Sequence, residues 1–270
     1  MSLQLDPRRR AMLEEMGVRL FWPDTPAEAV PVLEAQPALA SPQRASAPVA
    51  PALPRVPLPV VPERAAPQPV ARPDAPARQR IPGIEGMEWQ ALEQAVAACT
   101  ACQLCEGRSN TVFGVGDLQP DWLVIGEAPG EHEDLAGEPF IGQSGQLLDN
   151  MLRSLGVARG KGVYIANVLK CRPPGNRNPL PEELAQCEPF LRRQVELLRP
   201  KIILAMGRFA VQALLQSTEP VGRLRGRVHR YHDVPLVVTY HPAYLLRNLP
   251  DKARAWSDLV LAQSVLRQGG

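Results

Sequence analysis

Proline decides how much of this 270-residue chain can fold. Sixteen of its 30 prolines lie between Pro23 and Pro82, interspersed with Ala, Val, Gln and Arg. Each proline fixes its own φ and lacks a backbone donor, so such a stretch builds neither helix nor sheet. Residues 24–82 therefore read as a disordered, extended linker. It separates a short N-terminal segment, 1–23, from a folding domain, 83–270. Within the segment, residues 7–20 have helical spacing, with Met12, Met16 and Leu20 in one stripe. Two readings stay open for it. One is a frayed helix without a task. The other is a tethered motif, ending in the apolar-aromatic "VRLFW", that docks on a replication or repair protein.

Charge narrows the partners. Residues 83–270 carry 20 Lys+Arg against 20 Asp+Glu, so any nucleic-acid binding rests on local patches and not on bulk charge. No run reaches the ~18 apolar residues of a membrane helix. Arg8, Arg9 and Arg10 are followed by no apolar stretch of the secretory kind. The expectation is a cytoplasmic monomer without a membrane contact. In a reducing compartment, clustered cysteines point to metal or catalysis before disulfides. Three of the five, Cys99, Cys102 and Cys105, fall within "CTACQLC"; Cys171 and Cys187 lie far downstream.

From residue 83 the pattern is that of a packed domain. "DWLVIGEA", "GVYIANV", "KIILAM" and "PLVVTY" are short apolar runs suited to buried parallel strands. Helical patterns lie between them. "MEWQALEQAVAAC" runs into the cysteines, and residues 143–155 carry Leu147, Leu148, Met151, Leu152 and Leu155. Further helices are expected over 181–198, 207–215 and 251–267. Strands alternating with helices indicate an α/β architecture with a mostly parallel sheet, whose ligands bind at the carboxyl ends of the strands.

Three strand-end loops stand out. "GEAPGEHEDLAGEPFIGQSG", residues 126–145, has five glycines and leads into a helix, so its backbone N–H groups can face an anion or a carbonyl. It lacks the Gly-Lys-Ser/Thr ending of a phosphate loop. Phe140 within it is a platform for a flat ring. Asn167, after the second run, presents a donor and an acceptor side by side. "HPAYLLRN", residues 241–248, places His241 before two leucines and an arginine. Apolar residues at a loop tip are costly unless something receives them, and a base stack can.

In order, "GEAPG", Phe140, Asn167 and "HPAYLLRN", together with Cys99, Cys102, Cys171 and Cys187, resemble the family 4 uracil-DNA glycosylases, the iron–sulfur class. The resemblance spans roughly residues 86–268. It implies a three-layer α/β/α fold around a four-stranded, mostly parallel sheet. It also implies hydrolysis of the N-glycosidic bond of uracil in DNA by a monofunctional enzyme, leaving an abasic site. The alternatives are a non-catalytic DNA-binding or recruitment protein of the same fold, and a zinc-stabilised nucleotide hydrolase.

Carried onto this chain, the resemblance makes Cys99, Cys102, Cys171 and Cys187 the ligands of a 4Fe–4S cluster, though four thiolates would equally hold zinc. Cys105 is then a small apolar filler. Uracil would stack on Phe140 and pair with Asn167, and Glu133 would exclude the thymine methyl. His241 would donate to O2, helped by backbone amides from Gly126 to Ala128. Glu127 would bind uracil or position water. Leu245 and Leu246 would wedge into the base stack. Arg247, Lys170 and the run Arg223, Arg225, Arg227 and Arg230 would meet phosphates.

Overall fold

The computed structural model describes residues 81–268 and Glu15. Apart from Glu15 and the last two linker positions, the helical stripe at 7–20 and the linker at 24–82 lie outside the described residues.

The four apolar runs form the four inner strands of a six-stranded sheet. They are β2 (Trp122–Gly126), β3 (Val163–Asn167), β4 (Ile202–Met206) and β6 (Val234–Thr239), mutually parallel in the order β3-β2-β4-β6. β2, β3 and β4 are buried at every residue, and burial on both faces is why they read as unbroken apolar runs. Two further strands close the edges, both antiparallel: β1 (Val115–Gly116) on β3 and β5 (Val228–Tyr231) on β6. The expected four-stranded sheet is thus the parallel centre of a six-stranded one. β1 is two residues long, and β5 exposes Val228 and Arg230 and buries only Tyr231, so neither gives an apolar run.

The strand residues alternate between two cores. On one face Trp122, Val124, Val163, Ile165, Ile202 and Leu204 pack with Leu148, Met151 and Leu152 of α3 (Gln143–Ser154) and Leu259 of α8 (Lys252–Gln268). On the other, Leu123, Ile125, Ala166, Ile203 and Val238 pack with Leu191 and Val195 of α4 (Pro181–Leu198) and Val211 of α5 (Arg208–Leu215). Helices cover both faces, which gives the expected α/β/α layers. α1 (Trp89–Ala97) leads into the cysteines and packs Leu92 and Val96 against Phe190 of α4. Short helices α2 (Glu131–Ala136), α6 (Val221–Leu224) and α7 (Pro242–Arg247) sit in strand-end loops.

β2 pairs with β3 on one side and with β4 on the other, so the chain direction across the sheet reverses at β2. A crevice opens at such a point beyond the strand carboxyl ends.

Candidate active site

All four parallel strands deliver residues to that crevice. Glu127 follows β2, Asn167 ends β3, Gly207 and Arg208 follow β4, and Tyr240 and His241 follow β6; all line one cavity of about 750 Å³. Ala128, Glu133, Phe140 and Arg247 line it too.

The three side chains expected to hold one flat ring do converge. Phe140 and His241 are stacked, with ring centroids 5.3 Å apart and planes 29° from parallel. Gly126 forms the corner between Phe140 and Asn167. A Cβ there would lie 2.5 Å from Cζ of Phe140 and would also strike Oδ1 of Asn167. Glycine is thus what lets the ring and the carboxamide meet over the end of β2. Phe140 itself has φ of 55°, a region that an aromatic residue rarely adopts. Arg159 fixes it, donating to the carbonyl oxygens of Pro139 (2.8 Å) and Phe140 (2.7 Å). Gly145 leaves room for that second carbonyl, which any Cβ at 145 would hit. Such strain persists only where surrounding contacts over-determine it, and here they aim the ring into the cavity.

The polar groups have distinct states. Oδ1 of Asn167 is buried and has no hydrogen-bond partner in the protein. An orphaned buried acceptor is costly and calls for a donor from outside. His241 is the N-cap of α7, and its Nδ1 accepts from the backbone N–H of Ala243 at 3.1 Å. That contact leaves the ring proton on Nε2. Burial, and then the charge of Arg247, push its pKa down to about 4 against the pull of Glu133, so the imidazole is neutral at pH 7. Burial raises Glu127 to about 7, with Arg208 opposing. Glu133 is braced: its carboxylate accepts from the backbone N–H groups of Gly130 (3.1 Å), Ile141 (3.0 Å) and Gly142 (3.3 Å). It caps α2 and ties the glycine-rich loop into a ring around the cavity.

Several expectations need correction. Leu245 is fully buried in the core under α3 and cannot enter a base stack, whereas Leu246 is 39% exposed. "HPAYLLR" forms helix α7, and successive helical residues point about 100° apart, so only one of the two leucines faces outward. Arg225 is no phosphate contact either: it pairs with Asp258 at 2.8 Å and donates to the carbonyl of Arg254. Arg230 closes its own hairpin through the carbonyl of Asp233, and Arg227 lies 3.9 Å from Glu219. Arg223 is exposed. Lys170 is buried and cannot reach a phosphate. Arg208 and Tyr240 were missed. Their only sequence signal is that each stands just past a strand's carboxyl end.

Cys99, Cys102, Cys171 and Cys187 also come together, with Cys105, around a second, narrow cavity. Arg108 ties the two arms. Its Nη1 donates to the carbonyl of Cys99 (2.9 Å) and to Sγ of Cys171 (3.1 Å), and its Nη2 donates to the carbonyl of Ala97 (2.9 Å). Burial raises the thiols of Cys171 and Cys187 to about 11 and about 12. Such thiols ionise only against concentrated positive charge, which is what a metal centre supplies. Among the described residues no group of three or more His, Cys, Asp or Glu side chains is arranged to hold a single metal ion.

Fold and crevice define an α/β/α protein whose strand-end residues converge on one pocket, and comparison with known proteins gives its class. The family model "Uracil DNA glycosylase superfamily" matches residues 113–260. A type-4 uracil-DNA glycosylase of Thermotoga maritima is 39% identical over 67% of this chain and 96% of its own length. The type-4 enzyme of Archaeoglobus fulgidus is 43% identical over 56% of this chain and 79% of its own. A type-5 uracil-DNA glycosylase of Pyrobaculum aerophilum is 34% identical over 48% and 64%. The chain belongs to the uracil-DNA glycosylase superfamily and, within it, to the type-4 uracil-DNA glycosylases.

Proposed function

We infer that the protein hydrolyses the N-glycosidic bond of uracil in DNA, releasing the base and leaving an abasic site. The observation that carries this is the unpartnered Oδ1 of Asn167, buried beside the Phe140 ring in the crevice. Uracil, flipped from the helix, offers N3–H to that oxygen and O4 to the amide of the same side chain. Cytosine offers the reverse pattern and, with the carboxamide held in this orientation, leaves both groups unmatched, at about 1–3 kcal/mol each. Phe140 takes the face of the ring. Glu133, held rigid by three amides, is the wall against a methyl on C5.

As the bond to C1′ breaks, its electron pair leaves with uracil, and charge grows on O2. Neutral His241 donates from Nε2, and backbone amides from Gly126 to Ala128 add to the field. Glu127, which burial raises to about 7, would hold the attacking water and accept its proton. Among the described residues no lysine lines the cavity, and the proposed reaction is hydrolysis without a Schiff base. Leu246 and Arg247, exposed on α7, are the contacts for the vacated stack and its phosphates.

Cys99, Cys102, Cys171 and Cys187 would hold a 4Fe–4S cluster, with Cys105 beside them. When bound it supplies a cross-link among the α1 end, the loop after β3 and α4, which carries Cys187. The N-terminal segment 1–23, on its linker, is proposed to engage a replication or repair protein.

The test is incubation with uracil-containing single- and double-stranded DNA followed by alkali. Strand breaks with the intact protein, lost in Asn167→Ala and His241→Ala, are expected. Intact protein that binds this DNA without breaks is a binding protein and not an enzyme.

A further inference from the structure

Lys170 lies three residues after Asn167 and directly before Cys171, and it is 1% exposed. Its ammonium donates to three acceptors: Oε1 of Gln194 on α4 (2.6 Å), the carbonyl of Asn167 (2.8 Å) and the carbonyl of Phe113 (3.2 Å). Gln194, fully buried, also donates to the Phe113 carbonyl at 3.0 Å. All three protons of the ammonium are used. A buried cation survives its desolvation only when held this way, and its acceptors are then held in turn. The same loop is pinned along its length. Val168 N–H donates to the Gly126 carbonyl, Leu169 N–H to that of Glu127, and Val112 N–H to that of Lys170.

Lys170 does not line the active-site cavity. It lines the cavity of the cysteines. One of its hydrogen bonds nevertheless ends on the backbone of Asn167, whose own Oδ1 has no protein partner to fix the side chain. We propose that Lys170 is a positioning residue: by tying the Asn167 carbonyl to Gln194 and Phe113, it sets where the carboxamide meets uracil and joins base selection to the loop that ends in Cys171. This rests on Asn167 being the group that reads the base.

The probes are free uracil as an inhibitor, single-turnover excision from uracil-containing DNA, and binding to uracil-free duplex, each on protein of measured iron content. Lys170→Met removes the three donors and keeps the length. It should weaken inhibition by uracil and slow excision by about 10- to 100-fold, as expected for misplacement of a reacting partner. Binding to uracil-free duplex should be unchanged, which a general structural loss would not allow. In an Asn167→Ala background, Lys170→Met should add nothing. Wild-type inhibition and rate in Lys170→Met, or an undiminished further loss in the double variant, overturns the proposal. If Asn167→Ala itself leaves uracil inhibition and rate unchanged, the base-reading role fails first. If Lys170→Met loses its iron, Gln194→Leu decides, because it keeps the lysine beside the cysteines. Weakened uracil inhibition at full iron content supports the proposal, and wild-type behaviour ends it.

Discussion

Glu127 and His241 face one cavity in opposite states. The carboxyl is raised to about 7 and the imidazole lowered to about 4, both chiefly by burial. If the Glu127 carboxylate takes the water proton, kcat/KM rises with pH through about 7 and levels above it. Glu127→Gln then gives a flat profile, lower by about 100-fold or more. A variant profile that keeps the wild-type inflection removes Glu127 from that role. Stability has the opposite sign. The folded state binds this proton more tightly than the unfolded chain, so the contribution is full below about 4.5 and is lost as pH rises through about 7. Thermal melts should find Glu127→Gln more stable than wild type at pH 8 and equal to it at pH 4. His241 titrates well below this window and should add no inflection between pH 5 and 9.

At the scale of elements, α7 turns two adjacent leucines to different surroundings, Leu245 into the core and Leu246 toward solvent. Leu246→Ala should lower excision from duplex DNA more than from single strands, with stability within about 0.5 kcal/mol of wild type. Leu245→Ala should cost about 2–5 kcal/mol in denaturant unfolding, as core truncations do. Equal effects of the two on duplex excision, at matched folded fraction, would sink the assignment. The sequence could not separate them because "LL" has no visible periodicity within a six-residue helix. Similarly, β5 was hidden in a basic run. Of the arginines in "GRLRGRVHR", Arg225 is committed to Asp258 on α8, a partner 33 residues away. The inner strands were legible for the opposite reason. Burial on both faces leaves a continuous apolar signature that needs no partner to interpret.

At the scale of the molecule, two cysteine pairs about 70 residues apart in sequence are joined at one cavity, and Arg108 bridges them. If the proposed cluster is bound at these cysteines, chelating its iron should expose the α1 end and the loop after β3 to proteolysis and lower Tm by roughly 5–15 °C, the equivalent of a few kcal/mol for a domain of this size. Arg108→Leu should shift Tm the same way and bleach the absorbance near 400 nm faster. Unchanged melting after complete iron loss would remove the cross-linking role. The residue types of the site were legible in the chain: a glycine-rich strand end, an asparagine, a histidine and spaced cysteines each announce local chemistry. So were the four inner strands and the longer helices between them, because periodicity acts over a few neighbours. What the tertiary structure alone decided is which groups are spent and which are open. Lys170 is consumed by three buried acceptors, Arg225 by an aspartate, and Leu245 by the core, while Oδ1 of Asn167 is left unmatched. Desolvation and hydrogen-bond satisfaction depend on neighbours brought together only by folding.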